Sequence, residues 1–263
     1  MSTVVFLGGG RITSAILAGL RLRKTRHSLV VHDRNPDKLR DLKKRYAIAV
    51  EADLNRAVKK ADILIVAVRP SSVRDLLRAI GKVNRPLLAV SLAAGVPLRA
   101  LSKEASLPVR WARAMPSPVC RSGRGLTAMT FPRTLSRVDR KRVLDLFASF
   151  GQVIEIPESK FDVFTVTYSC SHGYHALATL AQAAQAAGLD RKTALLASAH
   201  ALADGIIAWR ESDHSLRLLL EEAATPGGIA AATMAKMNSA GYGRAVRQGI
   251  AAGLRRARAN ANK

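Results

Sequence analysis

Apolar and polar positions over the first 157 residues fall into short apolar runs and longer helical patterns. The helical patterns predict helices near residues 10–23, 36–45, 53–60, 71–80 and 136–148. The apolar runs predict strands near residues 3–7, 28–32, 62–67, 86–90, 109–112, 125–130 and 152–156. Regular alternation of strand and helix favours an α/β fold, with a doubly wound, mainly parallel sheet covered by helices on both faces.

The pattern changes after residue 157. No convincing strand follows, and helices are predicted near residues 159–187, 191–210, 214–223, 227–239 and 241–260. We therefore divide the chain into an α/β domain, residues 1–157, and an all-helical domain, residues 158–263. Alanine-rich apolar stripes run through the helical domain. A small helical domain with this much apolar surface predicts a homodimer formed through it.

A glycine cluster joins the first predicted strand to the first helix. Gly8 permits a sharp turn, and Gly10 lacks a Cβ, so a pyrophosphate could lie against the backbone at the positive end of the helix. This is how a dinucleotide-binding domain of the Rossmann type begins. Thr13 occupies the third glycine position of the usual motif, which leaves a tight glycine turn without a ligand as the alternative.

The second strand ends in two residues that favour different cofactors. Asp33 lies 25 positions after the first glycine of the turn, where a carboxylate suits the free ribose hydroxyl of NAD. Arg34 suits the 2′-phosphate of NADP. We favour NADP because Lys38 and Arg11 could support Arg34, while NAD stays possible. The alternative is a solvated turn that caps a helix starting near Pro36.

Composition narrows the possible partners. The formal net charge is +23, but the basic residues are spread along the whole chain without interleaved aromatic residues. This disfavours specific nucleic-acid binding and favours small anionic ligands. The cysteines, Cys120 and Cys170, form no spaced ligand set, so no metal site is expected. As reduced thiols they fit a cytoplasmic location.

Two further expectations concern membranes and targeting. No apolar stretch is long enough to cross a bilayer. The N-terminus leads straight into the first strand, which leaves no room for a signal peptide.

Several separated motifs resemble one family, the pyrroline-5-carboxylate reductases. The matching segments keep the family's order and spacing over nearly the whole chain. The resemblance implies a Rossmann domain followed by a helical dimerisation domain, and an NADPH-dependent oxidoreductase that reduces a small cyclic imine carboxylate, in the leading case pyrroline-5-carboxylate to proline. The segments are Gly8-Gly9-Gly10-Arg11-Ile12, Ala67-Val68-Arg69-Pro70, Ser91-Leu92-Ala93-Ala94-Gly95-Val96, Arg113-Ala114-Met115-Pro116 and Thr225-Pro226-Gly227-Gly228.

The resemblance and the residues together give candidate site residues. His172, Tyr174 and Thr233 are the candidates for proton transfer and catalysis, with a buried, hydrogen-bonded histidine as the alternative for His172. The glycine pair before residue 229 is a candidate anion cradle or, equally, a simple helix-initiating turn. The candidate substrate-binding residues are Ser117, Thr225, Gly227 and Gly228. The candidate cofactor-binding residues are Gly8, Gly10, Arg11, Ile12, Arg34, Val68, Arg69, Pro70 and Ala94.

The chain departs from the family pattern where substrate would bind. Ser117 replaces the asparagine of the family's M-P-N motif. Ala230 replaces the threonine whose hydroxyl meets the substrate in the family, and Thr233 lies one helical turn further on. An alternative is therefore a catalytically altered paralogue, either a nucleotide-binding regulatory protein or a reductase of a different imine or keto acid.

Overall fold

The computed structural model describes residues 1–81, 83–105 and 108–261. The chain divides into two compact units. The first comprises Met1–Tyr168 together with Ala252–Lys263, and the second comprises Ser169–Ala251. The boundary that the sequence pattern places between residues 157 and 158 stays a prediction.

One eight-stranded sheet, in the order β3-β2-β1-β4-β5-β6-β7-β8, organises the first unit. Neighbouring strands are parallel except β6 and β7, so β7 and β8 run opposite to the other six. The predicted α/β class with a mainly parallel sheet is confirmed. The strands are β1 Thr3–Leu7, β2 Ser28–His32, β3 Ala49–Val50, β4 Ile63–Val66, β5 Leu87–Ser91, β6 Val109–Pro116, β7 Leu126–Thr130 and β8 Gln152–Glu155.

Helices cover both faces of this sheet. Successive strand residues point to opposite faces, so in β1 Val4 and Phe6 belong to one apolar layer and Val5 and Leu7 to the other. The first layer is completed by α1, α2 and α6, and the second by α3, α4 and α5. The helices of the first unit are α1 Arg11–Leu22, α2 Pro36–Tyr46, α3 Leu54–Lys60, α4 Val73–Ala79, α5 Leu98–Glu104, α6 Arg137–Ala148 and α7 Glu158–Thr167.

The second unit is helical throughout. It holds α8 Cys170–Ala186, α9 Arg191–Glu211, α10 Leu216–Ala223, α11 Ile229–Ser239 and the first part of α12 Tyr242–Asn260. Within 169–251, all of which is described, the buried residues are Ala181, Ala194 and Ser198. Large apolar side chains are exposed instead, so a single copy of this unit has almost no apolar core.

Three expectations about elements need correction. The helix predicted over 159–187 is two helices, because Tyr168 leaves the helix to accept a hydrogen bond from the Leu126 amide at 2.7 Å and Ser169 then caps α8. The strand predicted over 109–112 continues to Pro116, because β7 supplies an antiparallel partner. Helix α5 and the two-residue strand β3 were not predicted.

Among the described residues, no helix combines the length and the apolar character needed to cross a membrane.

Candidate active site at the carboxyl edge of the sheet

The turn between β1 and α1 is pressed against the end of β4. The Gly8 amide donates to the His32 carbonyl at 2.8 Å, and Gly8 has a φ of +108°. A Cβ added there would lie 2.7 Å from the Ala67 carbonyl oxygen and 3.2 Å from the Val68 side chain. Both the backbone conformation and the close approach therefore require glycine at position 8.

Gly10 begins α1 on the open side of the same turn. Its φ is −78°, and an added Cβ would have no neighbouring atom within 4 Å. No side chain caps this helix start, so its first amides stay available to a ligand. Buried Thr13, at the third glycine position, donates its hydroxyl hydrogen to the Gly8 carbonyl at 2.5 Å. This hydrogen bond stabilises the turn. Arg11 is exposed and Ile12 is half-buried.

The Asp33 carboxylate, just after β2, accepts hydrogen bonds from the backbone. One carboxylate oxygen accepts from the Gly9 amide at 2.7 Å, and the other accepts from the Asn35 amide at 2.9 Å. The Lys38 ammonium lies 3.9 Å from the same carboxylate, whose side chain is 15% exposed. The Arg34 side chain is exposed beside it. Both carboxylate oxygens therefore accept from the backbone, and Arg34 is the exposed charge at the end of β2.

The expected helix cap after β2 is present. Asn35 accepts from the Asp37 and Lys38 amides at 2.9 and 3.2 Å, and Pro36 is the first residue of α2. This capping turn accounts for residues 35 and 36 and leaves Arg34 outside it.

The remaining cofactor candidates of the first unit follow β4 and β5. Val68, Arg69 and Pro70 come directly after β4, where Arg69 is exposed and Pro70 starts a short 3-10 turn. Ala94 lies in the loop after β5. Because β1, β2, β4, β5 and β6 are parallel neighbours, their carboxyl ends meet at one edge. The sheet thus brings together the candidates drawn from residues 8–117.

Arg113 is the most deeply buried charged residue beside this edge, at 1% exposure. Its guanidinium lies 3.3 Å from Glu158 and 3.2 Å from Asp162 of α7, and 4.3 Å from the centre of the Phe161 ring. Two carboxylates thus balance this cation, which ties α7 to β6. The sequence gave no signal for Glu158 or Asp162 as the partners of Arg113.

Ser117 follows β6 and is buried. Its hydroxyl accepts from the Val119 amide at 3.3 Å and so caps the 3-10 turn Pro118–Ser122. Cys120 lies in this turn, and burial raises the pKa of its thiol to about 12. A thiol that stays protonated is a poor nucleophile, so Cys120 is a packing residue.

The other substrate candidates form a turn in the second unit. The Gly228 amide donates to the Thr225 carbonyl at 2.9 Å, Gly227 has a φ of +77°, and Gly228 starts α11 without a side-chain cap. The Thr233 hydroxyl donates to the Ile229 carbonyl at 2.9 Å, so its hydrogen is used inside the helix. A helix-initiating turn and an anion cradle are both compatible with this geometry.

His172 and Tyr174 lie near the start of α8. Both are exposed in the single chain, Tyr174 at 69%. The alternative of a buried, hydrogen-bonded histidine at position 172 stays a prediction for the assembled protein. Tyr168, in the first unit, uses its hydroxyl to hold the Leu126 backbone.

In the part of the chain that the structure describes, no group of three or more His, Cys, Asp or Glu side chains is arranged to hold a metal ion.

Comparisons with known proteins match both halves of the chain. A family model described as "NADP oxidoreductase coenzyme F420-dependent" matches residues 3–95, and one described as "Pyrroline-5-carboxylate reductase dimerisation" matches residues 158–260. The pyrroline-5-carboxylate reductase of Mycobacterium leprae is 32% identical over 212 residues, which cover 77% of this chain and 72% of the relative.

Solved structures match over almost the full length. The 1-pyrroline-5-carboxylate reductase of Streptococcus pyogenes superposes with a TM-score of 0.90 at 23% identity, covering 98% of each chain. The pyrroline carboxylate reductase of Plasmodium falciparum, solved with NADP bound, superposes with a TM-score of 0.86 at 21% identity and covers 99% of this chain and 98% of its own. With the identity and coverage found for the M. leprae enzyme, the chain belongs to the pyrroline-5-carboxylate reductase family.

Proposed function

We propose that this protein is an NADPH-dependent reductase that converts pyrroline-5-carboxylate to proline. The observation that carries the proposal is the open, uncapped glycine turn at Gly10, in a chain of this family. The P. falciparum relative was solved with NADP bound, and one matching family model is described as an NADP oxidoreductase.

The residues of the first unit fit this cofactor. The bare backbone at Gly10 and the amides of Arg11 and Ile12 would face the pyrophosphate at the positive end of α1. Arg34 would pair with the 2′-phosphate, since Asp33 already accepts two backbone hydrogen bonds. Val68 to Pro70 and Ala94 would line the rest of the groove. When bound, NADPH supplies the hydride that the imine carbon accepts.

The chain's own residues must bind the substrate carboxylate and deliver a proton. Thr225, Gly227 and Gly228 would hold the carboxylate at the uncapped start of α11, where the Gly228 amide donates to the Thr225 carbonyl within the turn. In the first unit, Ser117 is a further substrate-binding candidate. Imine reduction also adds one proton to the ring nitrogen. His172 is the leading candidate donor, because an imidazole can act as a general acid.

Two other groups could assist the proton transfer. Tyr174, two residues along the same helix, and Thr233 are the further candidates. A His172→Ala variant with unchanged kcat and unchanged pH profile would remove His172 from the mechanism.

We further propose a cytoplasmic homodimer formed through the second unit. Its exposed apolar residues and the dimerisation model that matches residues 158–260 support the assembly. Neither Cys120 nor Cys170 forms a disulfide, in keeping with a reducing compartment.

A second candidate function follows from the altered substrate residues. Ala230 has no hydroxyl, and the Thr233 hydroxyl hydrogen is bonded to its own helix. These two observations favour a paralogue that binds nucleotide but turns over a different imine or keto acid, or none.

Turnover and binding together test the proposal. We expect the wild-type chain to oxidise NADPH with pyrroline-5-carboxylate and the Gly10→Val variant to bind NADPH on the order of 100-fold more weakly, because branched carbons would fill the space above the turn. Its unfolding transition should not change, since φ at this position suits any residue. Gly10→Ala, with one added carbon, should lose less affinity.

The outcomes separate the two candidate functions. NADPH binding without turnover on any cyclic imine or keto acid would favour the regulatory alternative. Equal NADPH affinity in the wild type and Gly10→Val would contradict the cofactor assignment.

A further inference from the structure

The loop between β5 and α5, residues 92–97, is held from outside the sheet. It contains Ala94, a cofactor-binding candidate, and Gly95, whose φ is +76°. Two elements that come much later in the sequence reach this loop within the first unit. They are α7, through Glu158, and the last turns of α12, through Ala257 and Asn260.

The last turns of α12 contact the middle of the loop. The Asn260 side-chain amide donates to the Ala94 carbonyl at 3.2 Å across 166 residues of sequence. Gly95 packs against the Ala257 carbonyl so closely that an added Cβ would overlap it. Gly253, one turn before Ala257, approaches Val166 of α7, where an added Cβ would lie 2.6 Å from a methyl group. Small residues thus bring α12 within hydrogen-bonding distance of the loop.

Glu158 holds the carboxyl-terminal end of the loop. Its carboxylate accepts from the Leu98 amide at 2.6 Å, at the start of α5, and the same oxygen lies 3.3 Å from Arg113. The loop is therefore fixed at Ala94 by Asn260 and at Leu98 by Glu158. A loop fixed at two points loses little conformational entropy when a ligand binds against it.

We infer that Asn260 is a positioning residue that holds the Ala94–Gly95 segment in the conformation that receives the dinucleotide. This inference rests on the proposed function, since it takes Ala94 to be part of the cofactor groove. Asn260 acts through the Ala94 carbonyl and needs no contact with the cofactor. Its loss weakens dinucleotide binding by leaving the loop free to take other conformations.

The test compares Asn260→Ala and Asn260→Asp with wild type in the full chain. The aspartate keeps the shape of the side chain but has no donor for the Ala94 carbonyl. Asn238→Ala, at an exposed asparagine near the end of α11, is the matched control. Two quantities are measured: hydrogen–deuterium exchange of the peptide covering residues 92–98 without cofactor, and the Kd for NADPH by calorimetry.

We expect both Asn260 variants to exchange faster in this peptide and to bind NADPH about 5-fold more weakly, the effect of one lost hydrogen bond. The KM for NADPH should rise in parallel while the KM for the imine changes little. The Asn238 control should match wild type in exchange and affinity.

Unchanged exchange in both variants would overturn the inference, as would faster exchange with unchanged NADPH affinity. A wild-type chain that does not bind NADPH would overturn the proposed function and the positioning role with it. Failure of the inference alone would leave wild-type binding intact.

Discussion

The two units of this chain differ in how they bury apolar side chains. In the first unit, two layers of aliphatic and aromatic residues lie on opposite faces of an eight-stranded sheet, and Phe6, Phe147 and Phe150 are at most 1% exposed. In the second unit, Ala181, Ala194 and Ser198 are the buried residues of 169–251. Side chains that would form a core in an ordinary domain face outward there.

The proposed dimer implies that the two units draw stability from different sources. Apolar burial gives about 25 cal/mol per Å², and the first unit obtains it within one chain. Alanine-rich helices with exposed leucine and isoleucine obtain it mainly against another surface. The first unit should therefore respond to truncation of its own core, and the second to changes in assembly.

The largest expected effect comes from the core of the first unit. Phe147→Ala should lower the free energy of unfolding by about 3–5 kcal/mol, because Phe147 packs in the centre of a layer and truncation leaves a cavity. Urea unfolding at several protein concentrations measures this. Val138→Ala on the same helix, where Val138 is 70% exposed, should stay within about 0.5 kcal/mol of wild type. Equal losses of unfolding free energy in Phe147→Ala and Val138→Ala would contradict the assignment of Phe147 to the core.

In the second unit, the test replaces an exposed apolar residue and measures assembly. Leu196 on α9 is 58% exposed in the single chain, so Leu196→Glu removes little intrachain packing. We expect it to raise the dimer dissociation constant on the order of 100-fold, because assembly would then bury a charge against apolar side chains. Sedimentation equilibrium measures the change, with Lys192→Glu on the same helix as the control. An unchanged dimer would place the interface elsewhere.

A smaller effect is expected on cofactor affinity when Arg34 is replaced. Arg34→Ala should weaken NADPH about 10-fold and NADH less than about 2-fold, because only NADPH carries the 2′-phosphate. Calorimetry with both dinucleotides measures the ratio. Arg40→Ala is the control, since Arg40 pairs with Asp37 on the exposed side of α2. Parallel weakening of both cofactors would refute the role of Arg34.

The smallest expected effect is a change in the free energy of unfolding at alkaline pH. Burial raises the pKa of Cys120 from its ordinary value of 9.0 to about 12. Between these values the unfolded chain ionises its thiol and the folded chain does not, so stability falls as pH rises through this window. From pH 8 to pH 10 the unfolding free energy of wild type should fall by about 1 kcal/mol more than that of Cys120→Ala.

Urea unfolding of wild type and Cys120→Ala at pH 8 and pH 10 measures this difference. An equal pH dependence in wild type and Cys120→Ala would show that the thiol is not buried in the folded chain.

Local patterns were sufficient to predict the sheet and the glycine turn. Gly8 and Gly10 could be assigned to a turn from local sequence alone, because an apolar run, the glycines and a helical pattern follow each other directly. The break at Tyr168 was not predictable in this way. It depends on a hydrogen bond to Leu126, 42 positions away, and no glycine or proline marks it.

Long-range partners explain the remaining gaps in the site. Asn260 and Glu158 hold the loop after β5 across 166 and 60 residues, and neither belongs to a local motif. Asp33 was recognised as a conflicting cofactor signal, but its bond to the Gly9 amide emerges only once β1 and β2 are side by side. Sequence spacing places Asp33 at the end of β2, while its hydrogen-bond partners depend on tertiary contacts.

The two backbone bonds of Asp33 have a consequence for redesign. An NADH-using variant would lack the Arg34 charge and would rely on a neighbouring carboxylate to bind the ribose hydroxyl. Here that acid also shapes the turn, because its two oxygens accept from the Gly9 and Asn35 amides. A switch of coenzyme would therefore have to leave Asp33 in place and change the residues around it, since replacing Asp33 would remove both bonds.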